Sequence, residues 1–295
     1  MRRLKLYSVL FAGVFALSTS AIWVRVAGAP AEVTAFYRLF LTAAALLPFF
    51  LLRRNCRQEA ARLSRQQWGR IAAAGLCLAV HYLLWFESLN YTSIASSTVI
   101  VCLQPLFSIA LERFVLKTKL RPGAIAGCCI ALAGSAVIGF GDFQISGMSL
   151  VGDLLAFAAA GVISLYYFIG QGIRRETSAL TYSVLGYFTS ALVLLAYSLV
   201  RGSALTGYSA GTWGAFVGLA VIATVGGQFV FNLLLSRLPA SAVTMSILGE
   251  PIGTCILAWL FLHESISPRQ LAGICIIIGG LLLYFLSPES DTGKK

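Results

Sequence analysis

Residues 248–253 read LGEPIG, a carboxylate directly before a proline inside an apolar run from Ser241 to Leu262. At membrane depth a carboxylate is costly and can exchange a proton, while the proline removes a backbone donor. Gln104 stands before Pro105 in the same way. Two more groups in apolar stretches offer related chemistry. His81, in HYLLWFES, can donate, accept or change charge near neutral pH. Arg38, in AEVTAFYRLF, carries a fork of donors that matches a carboxylate. All of this is binding and proton exchange. No Ser-His-Asp pattern, carboxylate pair, phosphate-binding glycine loop or metal-ligand spacing appears, so the sequence argues against an enzyme and implies neither cofactor nor metal.

The elements that must position these residues are membrane spans. Of the 295 residues, 58% are hydrophobic and only 11% charged, and mean hydropathy is +0.85, which is membrane composition. Crossing hydrocarbon takes about 20 residues per helix. Ten segments qualify, near residues 4–26, 33–52, 71–89, 94–111, 123–140, 150–170, 180–200, 213–235, 241–262 and 271–286, which predicts an all-α membrane protein. MRRLKLYSVLFAGVFALSTSA could be read as a cleaved signal, but removing it would put the basic loops on the wrong side, so it is taken as the first span. With the N-terminus inside, 18 of the 22 Lys and Arg fall in cytoplasmic connections or tails, and both termini face the cytoplasm of a bacterial inner membrane. The net charge of +11 is then a set of juxtamembrane collars, and no nucleic-acid surface is expected. Six cysteines lie within predicted helices as small apolar packers, and Cys56 falls in a loop.

A shift of 146 residues aligns QPLFSIALERFVLKTKLRPGAIAGCCIALAG with EPIGTCILAWLFLHESISPRQLAGICIIIGG without a gap. Pro105 meets Pro251, Pro122 meets Pro268, Gly127 meets Gly273 and Gly134 meets Gly280. Each half holds five spans, and an odd number forces the halves into opposite orientations, so the sequence encodes a 5+5 inverted repeat.

Over essentially its whole length the chain resembles the drug/metabolite transporter superfamily in its ten-helix EamA-type form. The resemblance rests on GAPAEVTAFYRLFLTAAALLP, HYLLWFESLNYTSIASSTVIVCLQPLF, GDLLAFAAAGVISLYYF and the ILGEPIG stretch, in that order and spacing. It implies two EamA-type repeats, 1–141 and 150–287, followed by a cytoplasmic tail, 288–295. It also implies a carrier of small metabolites around a central cavity, without specifying substrate or direction.

Pro251 cannot donate to the carbonyl of Ile247, and Pro105 likewise frees that of Val101, so both helices must kink or open. Paired kinks near mid-depth point to a central site, because a freed carbonyl is tolerated only where protein or a watered cavity serves it. Glu250 lies roughly 15 Å deep at 1.5 Å per residue. There an ionised side chain costs at least about 2.5 to 3.5 kcal/mol. Two readings fit it: a cavity-lining group, or a hydrogen-bonded stitch between helices. Ser246, Gly253 and Thr254 extend a small polar stripe along its face, as Ser97 and Ser108 do for Gln104. His81, with Trp85 one turn on, has the same two readings. Arg38 has three: it holds a substrate carboxylate, pairs with Glu32 or Glu87, or snorkels outward. Tyr82, Trp85, Gln228 and Asn232, with Tyr37, Tyr166 and Tyr167, are weaker lining candidates. His263, beside Glu264, is expected in the interface.

These readings converge on a secondary transporter of small metabolites, an exporter of amino acids or related amphipathic solutes, working by alternating access and open to proton coupling. Partners are then a small-molecule substrate and the bilayer, with the chain a monomer or weak homodimer. The transport alternative is an importer of a vitamin or nucleoside-like solute. The alternative of another class is a non-transporting scaffold or lipid-handling protein.

Overall fold

The computed structural model describes residues 2–92, 94–119, 121–139, 147–262 and 266–287. His263, Glu264 and the tail 288–295, with Lys294 and Lys295, lie outside these residues. Among the described residues the regular structure is entirely helical: α1 (Arg2–Ser18), α2 (Ser20–Ala27), α3 (Ala31–Leu52), α4 (Arg54–Arg62), α5 (Arg65–Ser88), α6 (Ile94–Val101), α7 (Gln104–Val115), α8 (Pro122–Gly139), α9 (Gly147–Ile173), α10 (Ala179–Arg201), α11 (Ala210–Gly218), a π-helical segment (Leu219–Gln228), α12 (Phe229–Leu234), α13 (Ala240–Ile247), α14 (Glu250–Leu262) and α15 (Pro268–Leu286). They make nine stretches long and apolar enough to cross a membrane, and Pro122–Ile138 of α8 is a shorter apolar helix. The protein is an all-α, multi-pass membrane protein. Large apolar side chains such as Leu52, Phe114, Val200 and Leu286 stand exposed on its surface, as a lipid-facing exterior requires.

Polar caps set the helix starts between spans. Ser64 and Gln67 form a reciprocal capping box at the head of α5, Ser267 and Gln270 do the same at α15, and Ser178 and Ser209 accept from Thr181 N and Thr212 N. The kinks expected at the prolines are present. α6 stops at Val101 and α7 restarts at Gln104, with Pro105 in its first turn; α13 stops at Ile247 and α14 restarts at Glu250, with Pro251 there. In the first turn of a new helix a missing N–H has no helical acceptor to abandon, so each proline costs little where it sits. Both restarts are 146 residues apart, as are the starts of α8 and α15.

Three features go beyond the sequence reading. The first span breaks at Thr19, between α1 and α2. The eighth predicted span contains ten residues of π-helix. The connection after α3 carries its own short helix, α4, and Cys56, expected in a loop, is buried on it with Sγ 3.7 Å from Ser178 Oγ.

Glycines let α8 and α15 touch backbone to backbone. A Cβ on Gly127 would meet Gly280 O at 2.6 Å, and one on Gly134 would meet Gly273 O at 2.8 Å. As residue numbers rise on one helix they fall on the other, so the two run antiparallel. Gly280→Ala would also push a methyl group into the amide of Ala131, whereas nothing lies within 4 Å of a Cβ on Gly279. Gly280→Ala is therefore expected to destabilise the detergent-solubilised protein by about 1–3 kcal/mol through overpacking. Gly279→Ala, with the same gain in helix propensity, should leave the thermal midpoint unchanged or raise it. Equal midpoints would contradict the packing described.

Candidate functional site

The spans surround a small cavity of about 30 Å³, the room of about one water molecule. Its polar lining is Arg38 from α3, His81, Tyr82 and Trp85 from α5, Gln104 from α7, Tyr167 from α9, Gln228 from the π-helical segment and Glu250 from α14. Leu17, Val101, Ile163 and Ile247 close the rest. Of the eleven residues named above as lining candidates, eight are thus brought together, from both halves of the chain, and Asn232, Tyr37 and Tyr166 are not among them. Val101 and Ile247, the last residues before the two breaks, also face the cavity, so the freed ends of α6 and α13 are directed toward it.

Arg38 is fully buried. Its Nε donates to Thr224 Oγ1 at 2.9 Å and its Nη1 to Ser20 Oγ at 2.6 Å, and its guanidinium carbon lies 4.4 Å from the centre of the Tyr82 ring. Two of its three expected roles fail. It does not snorkel, and neither rim acid pairs with it: Glu32 accepts from Ser203, and Glu87 from Asn90 and Tyr91. Glu87 is thus captured by residues of its own connection, and Glu32 by Ser203 of the connection between α10 and α11. Hydroxyls therefore hold the guanidinium, and its Nη2 has no protein partner.

Glu250 differs from the other carboxylates. Among the described residues, Glu59 accepts from Ser178 N and Thr181 Oγ1, Glu112 from Ser241 N and Oγ, Asp153 from Thr92 and Ser96, and Glu176 from Gln67. Two of these carboxylates, Glu59 and Glu112, take a backbone N–H at a helix start. The carboxylate of Glu250 accepts no such bond; only its backbone carbonyl is engaged, by Ser18 and Thr254.

Three more polar atoms at the cavity lack protein partners: Trp85 Nε1, Gln104 Oε1 and Gln228 Nε2. Gln228 Oε1 accepts from Tyr167 at 3.1 Å, which fixes the amide with its NH₂ group free. A buried polar group without a partner costs about 1–3 kcal/mol. Four such atoms meet on this one cavity, beside the Glu250 carboxylate that accepts no hydrogen bond. His81 serves both readings at once. Its Nδ1 lies 3.0 Å from Ala159 O, bridging α5 to α9, while its ring stacks at 18° to Trp85 on the cavity wall.

Asn232 is a correction. It is buried away from the cavity, accepting from Tyr166 and donating to Ser183 and Tyr187, and so it stitches α12 to α9 and α10. Tyr37 also lies elsewhere, stacked on Phe216 with its hydroxyl on Leu205 O. The expected stripes change meaning as well. A Cβ on Gly253 would strike Ser18, and Thr254 reaches Ser18 O, so that face packs on α1. Ser97 bonds Ser88 on α5. Ser20 and Thr224, which hold Arg38, escaped the sequence reading; the one signal for them was a hydroxyl on each of two apolar spans.

Comparison with known proteins agrees with this picture. The model of the EamA-like transporter family matches residues 4–140 and again 150–286. The uncharacterized transporter YwfM of Bacillus subtilis (strain 168) is 30% identical over 227 residues, 76% of this chain and 75% of its own. The biotin transporter of Escherichia coli (strain K12) is 23% identical over 261 residues, 86% of this chain and 84% of its own. A solved crystal structure, 18% identical, superposes with a TM-score of 0.81 over 97% of this chain and 99% of that one, which establishes the likeness of fold. With both halves matched by one family model and the polar groups gathered between the spans, the chain belongs to the EamA-like transporter family.

Proposed function

We propose that the protein is a secondary transporter that moves a small amphipathic solute bearing a carboxylate, an amino acid or a close relative, outward by alternating access through this cavity. The observation that carries the reading is the meeting of Arg38 and Glu250 on one small cavity, the first with a free donor nitrogen and the second with an unclaimed carboxylate. A zwitterion satisfies both, its carboxylate on Arg38 and its ammonium on Glu250. The aromatic walls of Tyr82, Trp85 and Tyr167 suit its apolar body.

The frame proposed for this movement is ten spans as a 5+5 inverted repeat, 1–141 and 150–287, with both termini in the cytoplasm and the chain a monomer or weak homodimer. Helix pairing supports it. α8 and α15, equated by the 146-residue shift, pack antiparallel, and the contact of Gly127 with Gly280 is exchanged by the shift for that of Gly273 with Gly134. α5 packs on α9 as the π-helical segment packs on α1, and α7 packs on α9 as α14 packs on α1. A cavity near 30 Å³ is too small for an amino acid, so the solute enters only when the halves part at one end. Glu59 and Glu112 tie the starts of α10 and α13 to the first half at the basic end, and these ties must release for opening there.

A second reading is favoured by the biotin transporter among the relatives. A biotin-like solute would also place a carboxylate on Arg38, while Gln104 and Gln228 receive the amide groups of its ring. Glu250 discriminates between the two, since only the amino acid brings it a cation.

Counterflow in proteoliposomes tests both readings with one panel of amino acids, biotin and their decarboxylated analogues. Carboxylate-bearing solutes are expected to exchange and decarboxylated ones to fail; Arg38→Lys, which loses the fork, should weaken exchange about tenfold to a hundredfold. Equal exchange of both classes would remove the role given to Arg38.

Glu250→Gln keeps shape and removes the charge. It is expected to abolish any dependence of transport on a pH gradient while leaving part of the counterflow, and His81→Gln should weaken solute binding in a folded protein. If both variants transport as the parent does, the cavity is not the site. For the frame, reporters fused at Ser209 and at the C-terminus should lie outside and inside respectively, and a common side would refute it.

A further inference from the structure

A second concave site lies away from the central cavity, at the end of the bundle where the basic residues gather. It is an open groove of about 820 Å³ between the start of α1, the end of α3, the start of α10 and the end of α12. Four cations line it, Lys5, Arg53, Arg174 and Arg237, and no carboxylate does. Glu59, the nearby acid on α4, is already engaged by Ser178 N and Thr181 Oγ1. Arg174 is the buried member of the set. Its Nε donates to Asn232 O at 2.8 Å and its Nη1 to Thr177 O, so backbone carbonyls take its hydrogen bonds at the head of the groove, with Glu59 the acid near it outside the lining. Below the cations the walls turn apolar, with Val9 and Leu233 well exposed and Phe229 half-buried. Val9 belongs to the first turns of one membrane-crossing stretch, and Phe229 and Leu233 to the last turns of another. The groove therefore runs from a basic rim down into the hydrocarbon edge.

We propose that this groove is a binding site for one anionic phospholipid of the adjoining leaflet, its phosphate among the four cations and an acyl chain along Val9, Phe229 and Leu233. The charge balance favours this occupant: four cations without a lining acid repel a cation and leave a zwitterionic headgroup's positive part without a partner. The depth favours it too, because a soluble anion would use the basic rim and leave the apolar walls idle. Basic pockets between spans near the headgroups recognise anionic lipids on these grounds. The volume also suits, since ligand pockets run to about 300–1,000 Å³. Lipid bound here would bridge α1 and α3 of the first half to α10 and α12 of the second, and so would bear on how the halves separate.

The test uses the full-length protein, delipidated in detergent and then offered phosphatidylglycerol or phosphatidylcholine. Native mass spectrometry is expected to show one retained phosphatidylglycerol and no retained phosphatidylcholine, with phosphatidylglycerol alone raising the thermal midpoint. The variant Lys5→Gln/Arg53→Gln/Arg237→Gln changes three exposed side chains and leaves Arg174 in place. Binding should weaken about fivefold for each cation removed, while the thermal midpoint in phosphatidylcholine stays that of the parent, which shows the variant folded. Equal retention of the two lipids, or undiminished retention of phosphatidylglycerol by the variant, would overturn the proposal. Displacement of the lipid by millimolar inorganic phosphate would overturn it as well, because the site would then be one for a free anion.

Discussion

A guanidinium buried in the middle of a membrane protein must have its donors held by its surroundings, and the arrangement around Arg38 follows from that constraint. No carboxylate bonds it. Ser20 from α2, Thr224 from the π-helical segment and the face of Tyr82 from α5 share the task, so one side chain of α3 draws three other spans to itself. The break at Thr19 and the π-helical turns lie next to two of these holders. In the π segment the Thr224 hydroxyl accepts from Arg38 and itself donates to Leu219 O. These neutral holders leave one nitrogen free, with Glu250 on the same cavity, and under the proposed function that nitrogen is what a solute carboxylate meets.

The other charged and polar groups are divided between structure and site by the same economy. Carboxylates at helix ends take the orphan N–H groups of neighbouring helices, as Glu112 does for α13 and Glu59 for α10, and are fully occupied there. Glu250 sits at a helix start of its own, after the break at Leu248 and Gly249, and is left unclaimed. Gln104 stands at the equivalent start in the first half. Each proline opens a helix so that one polar side chain and one apolar residue from the preceding segment reach the same cavity. Glycines do the opposite work at α8 and α15, closing two helices against each other where no site is needed.

How much of this could be read beforehand depends on the physics behind each feature. The two breaks were legible to within a residue or two, because a proline without an N–H leaves the helix few choices. That His81, Gln104, Gln228 and Glu250 would turn inward was legible because lipid excludes them. Asn232 was misjudged because a polar side chain one turn beyond Gln228 can also face neighbouring helices, and here Tyr166, Ser183 and Tyr187 of α9 and α10 take its amide. Gly253 and Thr254 were misjudged because small polar residues suit close packing as well as a cavity, and only the partner, here Ser18, decides. The partners of Arg38 were not legible at all, since a serine or threonine in an apolar span usually bonds its own helix.

The central claim is that the solute binds where Arg38, Trp85 and Glu250 meet, and Trp85 offers a direct reporter because its Nε1 has no protein partner and its ring lines the cavity. With Trp23, Trp68, Trp213 and Trp259 replaced by Phe, the remaining indole fluorescence can be followed as purified protein is titrated with the solute that supports the fastest counterflow. The account predicts a saturable change in emission whose midpoint matches that for transport and which Arg38→Lys weakens in parallel. Saturable transport with no change at Trp85 would contradict it.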